Sequence, residues 1–206
     1  MVLRMRACPG CGIEMSVSDR AYDRKFNASA ECWSVYEEVL AAEYQNPAVF
    51  GQVHQLTVDT YCVHHAGGRH PDKSVCIHLA GLCLAMEQDA APSDAVALRR
   101  RLARRTSWPH LAPPEERASL TVLDVALDLS PETHVERVRD WAAEVWRVWR
   151  PHHEVARELI ATSFDTTGKS TRSSSSARQP VGAGAGGSSL GSIEVRGLSR
   201  KNWRRR

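Results

Sequence analysis

Hydrophobic positions along this chain recur at helical spacing far more often than at strand spacing. From Ser29, a residue type suited to an N-cap, Cys32, Tyr36, Val39, Leu40 and the Glu43-Tyr44 pair fall on one side of a helix. Asn46-Pro47 ends that helix and starts a second, over about residues 47 to 65. So short a connection predicts antiparallel neighbours. Gly67 to Pro71 turns the chain into a third helix, about 72 to 88, whose stretch from Val75 to Met86 is apolar almost all round. A helix of that kind is central and buried, and this one is too short to span a bilayer. Ser93 is expected to cap a basic helix from Asp94 to Arg105, and Ser107 to Arg117, with three prolines, reads as a surface loop. A short helix is predicted within Leu120 to Leu129. Ser130-Pro131-Glu132 opens the last long helix, in which Val138, Trp141, Val145, Trp149, Ala156 and Leu159 or Ile160 repeat at helical spacing. Pro151 should kink or restart it. The expected fold is all-α: a bundle of four or five helices over residues 29–165, preceded by an arm over 1–28 and followed by a disordered tail over 166–206.

Composition narrows this picture. With 206 residues, 42% of them hydrophobic, the chain can bury one core of ordinary size. The net charge is +3, but residues 166–206 hold nine basic side chains and one acidic, and that excess of eight leaves the body at −5. The low-complexity Ser/Gly/Ala/Arg tail reads as a solvated terminus, with a weaker case for nucleic-acid or membrane-surface contact. The arginines from Arg99 to Arg105 read likewise as a solvated helix face before they read as a nucleic-acid patch. No apolar run is long enough for a signal peptide or a membrane span, which predicts a cytoplasmic protein. Six cysteines in that compartment favour metal ligation or buried thiols over disulfides.

The chemistry concentrates in two stretches. Cys8-Pro-Gly-Cys11-Gly has the spacing and glycine of a zinc knuckle, a tight turn that aims two thiolates at one point; a redox pair or incidental thiols are the alternatives. Val53 to His65 places three of the nine histidines, one carboxylate and one thiol in a single helix, a costly arrangement unless those groups have partners. His54 and His65 cannot share a metal, because eleven residues at about 1.5 Å rise set them roughly 16 Å apart. If the first two helices form a hairpin turning at Asn46, Cys32 lies level with about Thr60, near His64 and His65, and the Cys8-Cys11 arm enters at that same end. Cys8, Cys11, Cys32 and His65 can then converge on one zinc as a structural Cys3His site, with His64 and His70 as alternative fourth ligands. The same reckoning about a turn near Gly68 sets His78 level with Asp59, as a buried ion pair or an orienter of a metal-bound imidazole.

The Cys-Pro-Gly-Cys-Gly turn, Cys32-Trp33 opening a helix, the His-Gln-Leu-Thr-Val-Asp-Thr-Tyr string ending at Tyr61, and Trp-Arg-Pro-His-His ending at His153 occur together. The combination resembles a bacterial family of small proteins classified only as a domain of unknown function, over about Cys8 to Ile160. In that pattern His65 matches the usual histidine, whereas Cys62 and His64 are departures. The resemblance implies no activity. Two functions therefore stand as expectations: a zinc-stabilised binding or regulatory module, and a metal-dependent hydrolase or transferase. The second would use His54, Asp59, His78 and His152 or His153 in an open site that resembles in outline the three-histidine sites of DinB-like four-helix bundles. Cysteine nucleophile chemistry through Cys62 or Cys83 is a weaker third course, since buried thiols are usually inert.

Overall fold

In the computed structural model, residues 4–20, 22, 25–88 and 90–165 are described. The expectations for the tail, residues 166–206, lie outside them. The chain runs β1 (Met5–Ala7), β2 (Glu14–Ser16), α1 (Ala30–Gln45), α2 (Pro47–His64), α3 (Asp72–Glu87), α4 (Pro92–Leu102), α5 (Val122–Ala126), α6 (Pro131–Val148), a 3-10 turn (Arg150–His152) and α7 (His153–Asp165). The architecture is mostly helical, as the periodicity predicts, with one two-stranded antiparallel hairpin in register Met5↔Ser16, Arg6↔Met15 and Ala7↔Glu14.

Among the described residues there are seven α-helices where a bundle of four or five was expected, and the expected short helix within Leu120 to Leu129 and the expected break at Pro151 make up the difference. The segment before Ser130 forms the five-residue α5, held by Thr121, whose hydroxyl accepts the Leu123 N–H at 3.2 Å while Asp124 accepts the Thr121 N–H at 2.9 Å. The last long helix is cut at Pro151, which has no N–H to donate; the chain passes through the 3-10 turn and restarts as α7. The basic helix also starts earlier than expected. Pro92 takes its first position and Asp94 accepts the Ala91 N–H at 3.2 Å, so Ser93 is not the cap.

Helix α2 runs through the middle, packed against α1, α3, α4 and α6. Helix α3 lies beside it, covered also by α4, α6 and α7, which accounts for its lack of a polar face. Trp141, Tyr61, Leu79, Leu82, Leu98 and Leu102 are the largest fully buried side chains and form one continuous core. Two caps fix where α1 and α2 begin. Ser29 caps α1, its hydroxyl accepting the Cys32 N–H at 3.2 Å. Asn46 caps α2 through its side-chain oxygen, which accepts the Ala48 and Val49 N–H groups at 3.2 and 3.3 Å and fixes the tight α1–α2 reversal. Among the described residues no helix is long and apolar enough to cross a membrane.

Candidate metal centre

The β1–β2 hairpin turns through Cys8 to Gly12. The Cys8 N–H donates to Ile13 O at 2.8 Å and the Gly12 N–H to Cys8 O at 2.9 Å, with Gly12 at φ +80°, a conformation that favours glycine. This closes the loop so that both thiols face inward, and both are buried. Gly10, between them, lies so close to the end of α2 that a Cβ there would stand 2.5 Å from Asn27 O and 2.8 Å from the His65 ring. The arm itself is tied to the same end: the Asn27 N–H donates to His65 O at 3.1 Å and its side-chain amide to Ala66 O at 3.2 Å.

Cys32 enters from the first turn of α1 and His65 from the C-cap of α2. The Nδ1 of His65 lies 2.9 Å from Tyr61 O. A carbonyl only accepts, so Nδ1 carries a proton, and Nε2, 3.3 Å from the Cys32 sulfur, is the nitrogen left to ligate a metal that displaces its proton. The Tyr61 ring stacks on His65 at 4.0 Å and on Tyr36 at 3.8 Å, and its hydroxyl lies 3.8 Å from the Cys32 sulfur. The ligand atoms of Cys8, Cys11, Cys32 and His65 all lie within 4.8 Å of one another, and all four residues are buried. It is the one such group of metal-ligating side chains among the described residues.

The spacing fits a metal. A tetrahedron of about 2.3 Å zinc–sulfur bonds has sulfur–sulfur edges of roughly 3.8 Å; Cys11 and Cys32 stand 3.8 Å apart. Without a cation the cluster is electrostatically awkward. Hydrogen bonds from Cys11 and Cys32 hold the Cys8 thiol well below its ordinary range, while the same crowding by Cys11 and Cys8 pushes Cys32 well above. Burial lowers the His65 pKa, but contact with the Cys11 and Cys8 sulfurs outweighs it and raises the value to about 10. Three sulfurs and one imidazole nitrogen form a soft, closed donor set that can bind a metal ion and leaves no protein-free coordination position in a tetrahedral site.

The alternative fourth ligands point elsewhere. His64 Nδ1 accepts the Trp141 indole N–H at 3.1 Å, and burial drives the pKa of that imidazole down to about 3. His70 bridges His65 O at 3.1 Å and the Ser74 hydroxyl at 2.8 Å.

The residues of the open-site reading go to separate places. His78 Nδ1 is 2.6 Å from Asp59 Oδ1, which also accepts from the Gln55 amide at 2.9 Å. Gly81 makes room for that buried carboxylate, since a Cβ there would meet Asp59 Oδ2 at 2.5 Å. Burial would depress the His78 pKa, but the Cys62 and Asp59 side chains outweigh it and raise it to about 10. His54 instead pairs through Nδ1 with Glu43 Oε2 at 2.7 Å. His152 bonds Ala112 O at 2.8 Å, and His153 bonds Trp146 O at 2.9 Å while stacking on the Trp146 ring at 3.6 Å. These histidines share no coordination sphere among the described residues.

The sequence reading missed a further polar cluster. Glu43 is fully buried, and besides His54 it takes the Thr57 hydroxyl at 2.5 Å and His134 Nε2 at 3.0 Å. Burial alone would raise its pKa, yet the hydrogen bonds from His134, His54 and Thr57 hold it below the ordinary carboxylate range. A carboxylate lying in the apolar stripe of α1 was the available signal; His134 gave none.

Fold and site together define a mostly helical protein with a buried Cys3His cluster able to bind a metal ion. A family model described as a family of unknown function (DUF5946) matches residues 6–150, and the chain belongs to that family. The match takes in all four residues of the cluster. No curated protein and no solved structure matches the chain.

Proposed function

We propose that this protein is a zinc-stabilised binding or regulatory module, in which Cys8, Cys11, Cys32 and His65 hold one structural zinc. The observation that carries the reading is the closed donor set: four buried ligand atoms from three separate segments, drawn within 4.8 Å of one another. Thiolate ligands select zinc over harder divalent ions, and a site with four protein ligands stabilises a fold rather than activating water. In this reading the metal staples the arm of residues 1–28 to the helical body of residues 29–165.

Cobalt substitution tests the assignment. Co(II) added to metal-stripped protein should give the intense ligand-field bands of a tetrahedral ion together with thiolate charge transfer, both displaced by one equivalent of zinc. Cys32→Ser should weaken the charge-transfer band and the affinity together. Octahedral bands without thiolate charge transfer would overturn the reading.

A further inference from the structure

Beside the metal cluster lies a cleft of about 620 Å3, walled by the knuckle hairpin, the arm before α1 and the turn between α2 and α3. Arginines from three segments line it: Arg6 on β1, Arg20 on the arm and Arg69 in the turn. All three are exposed. The Arg20 side chain donates to the Ser34 hydroxyl, whereas the side chains of Arg6 and Arg69 make no hydrogen bond or ion pair among the described residues. No carboxylate is among the described residues lining the cleft, in a body whose net charge is −5. Glu31 stands behind the wall, buried, and spends one oxygen on the Ser18 N–H at 2.7 Å and hydroxyl at 3.0 Å. The rings of Tyr22 and Phe26, half-buried and backed by Trp33 at 5.5 and 5.3 Å, complete the lining.

We propose that this cleft binds a nucleotide phosphate, with Arg6, Arg20 and Arg69 as its cations and the Tyr22–Phe26 wall as its base-facing side. A phosphate monoester carries up to two negative charges and three terminal oxygens against a carboxylate's one charge and two oxygens, which makes it the better match for three guanidiniums. The volume lies within the range of small-ligand sites, and an aromatic wall beside a cationic one suits a flat base joined to its phosphate. The same chemistry is offered by a free nucleotide and by one unit of a single strand. The proposal deepens the binding-module reading by naming the ligand class, and it rests on that reading to the extent that Pro9, between two of the metal-ligating cysteines, lines the cleft.

The test uses the full, zinc-loaded chain, with thymidine monophosphate followed by calorimetry and a fluorescein-labelled oligothymidylate followed by anisotropy. The Arg6→Glu/Arg69→Glu double variant should weaken whichever probe binds by about tenfold or more, while Arg100→Glu on α4 stays within about twofold of the parent. Both proteins carry the same basic tail, so tail binding cancels in the comparison. Oligothymidylate displaced by the monophosphate identifies a free-nucleotide site; oligothymidylate binding alone, with a log–log salt slope that falls by about 1 or more in the double variant, identifies a strand site. Either outcome supports the cleft. Absence of binding by both probes, or an unchanged double variant, overturns it. Zinc content and melting temperature of the double variant, expected to match the parent, separate this failure from failure of the metal assignment.

Discussion

Helix α2 carries buried polar side chains from Thr57 to His64, and the Glu43 cluster that meets it nearer its amino end differs in kind from the Cys3His cluster at its carboxyl end. At the amino end, Glu43 of α1 meets His54 and Thr57 of α2 and His134 of α6. Donors face acceptors there, and each carboxylate oxygen is used. At the carboxyl end, His65 meets Cys8, Cys11 and Cys32, where three sulfurs crowd one imidazole, holding the Cys8 thiol well below its ordinary pKa and raising that of His65. In the first cluster both carboxylate oxygens are paired within the protein, although His134 Nδ1 is buried without a partner; under the proposed zinc assignment the second is completed by a cation. Between them, the Asp59–His78 pair links α2 to α3 and belongs with the amino end in kind. Under the proposed zinc assignment a single helix holds polar groups that are structural by pairing and polar groups that are structural by ligation, and the two should respond to different perturbations.

Metal removal gives the largest separation. A strong chelator, or Cys8→Ser combined with Cys32→Ser, should cost several kcal/mol and lower the melting temperature by more than about 10 °C, because binding free energy at such a site is folding free energy. Melting followed by circular dichroism checks this, and an unchanged midpoint would erase the contrast. Next in size, Glu43→Ala strands His54, Thr57 and His134 without their acceptor and should cost about 3 to 5 kcal/mol, with the zinc stoichiometry of the folded fraction unchanged. Urea unfolding paired with metal analysis reads both quantities. Loss of zinc from the folded Glu43→Ala protein would mean that the two ends are coupled.

The Asp59–His78 pair predicts a pH dependence of intermediate size. The folded-state pKa of His78 is raised from 6.5 to about 10. Its contribution is therefore fully present below about pH 6.5 and is lost as pH rises towards 10. Asp59→Asn should remove the share of that slope that Asp59 supplies beside Cys62, so the urea midpoints of parent and variant should differ more at pH 6.5 than at pH 9.5. A difference that grew with pH would give the pair the wrong sign. The smallest effect is expected from Ser29→Ala, which removes the N-cap of α1 just before Cys32. It should cost about 1 kcal/mol, read from the urea midpoint, and leave one zinc bound.

Much of this was legible in the sequence because local signals and helix arithmetic agree. Asn46-Pro47 fixed a tight reversal, so counting residues back from it set Cys32 level with the end of α2, and His65 followed as its neighbour. The same counting across Gly67-Gly68, both at positive φ, matched His78 to Asp59. The Glu43 cluster was not legible, because His134 reaches Glu43 across 91 residues and lies on a helix whose buried stripe is otherwise Val138, Trp141, Ala142, Val145 and Val148. Contacts of that kind depend on how α6 docks on α2, which no local pattern states. The arginine cleft was hidden for a related reason: Arg6, Arg20 and Arg69 sit in three unrelated segments, and the conspicuous runs from Arg99 to Arg105 and in the tail drew attention away from them. The basic helix began early because Pro92 outcompetes Ser93 for the helix start: its fixed φ suits the first position and its missing N–H costs nothing there.

The most direct test is the zinc content of the natively purified chain, measured by elemental mass spectrometry before and after dialysis against a mild chelator. The account predicts one zinc per chain that survives dialysis and is absent from folded or unfolded Cys8→Ser/Cys32→Ser protein. A chain that is fully folded with no metal, and that takes up none when zinc is supplied, would contradict it.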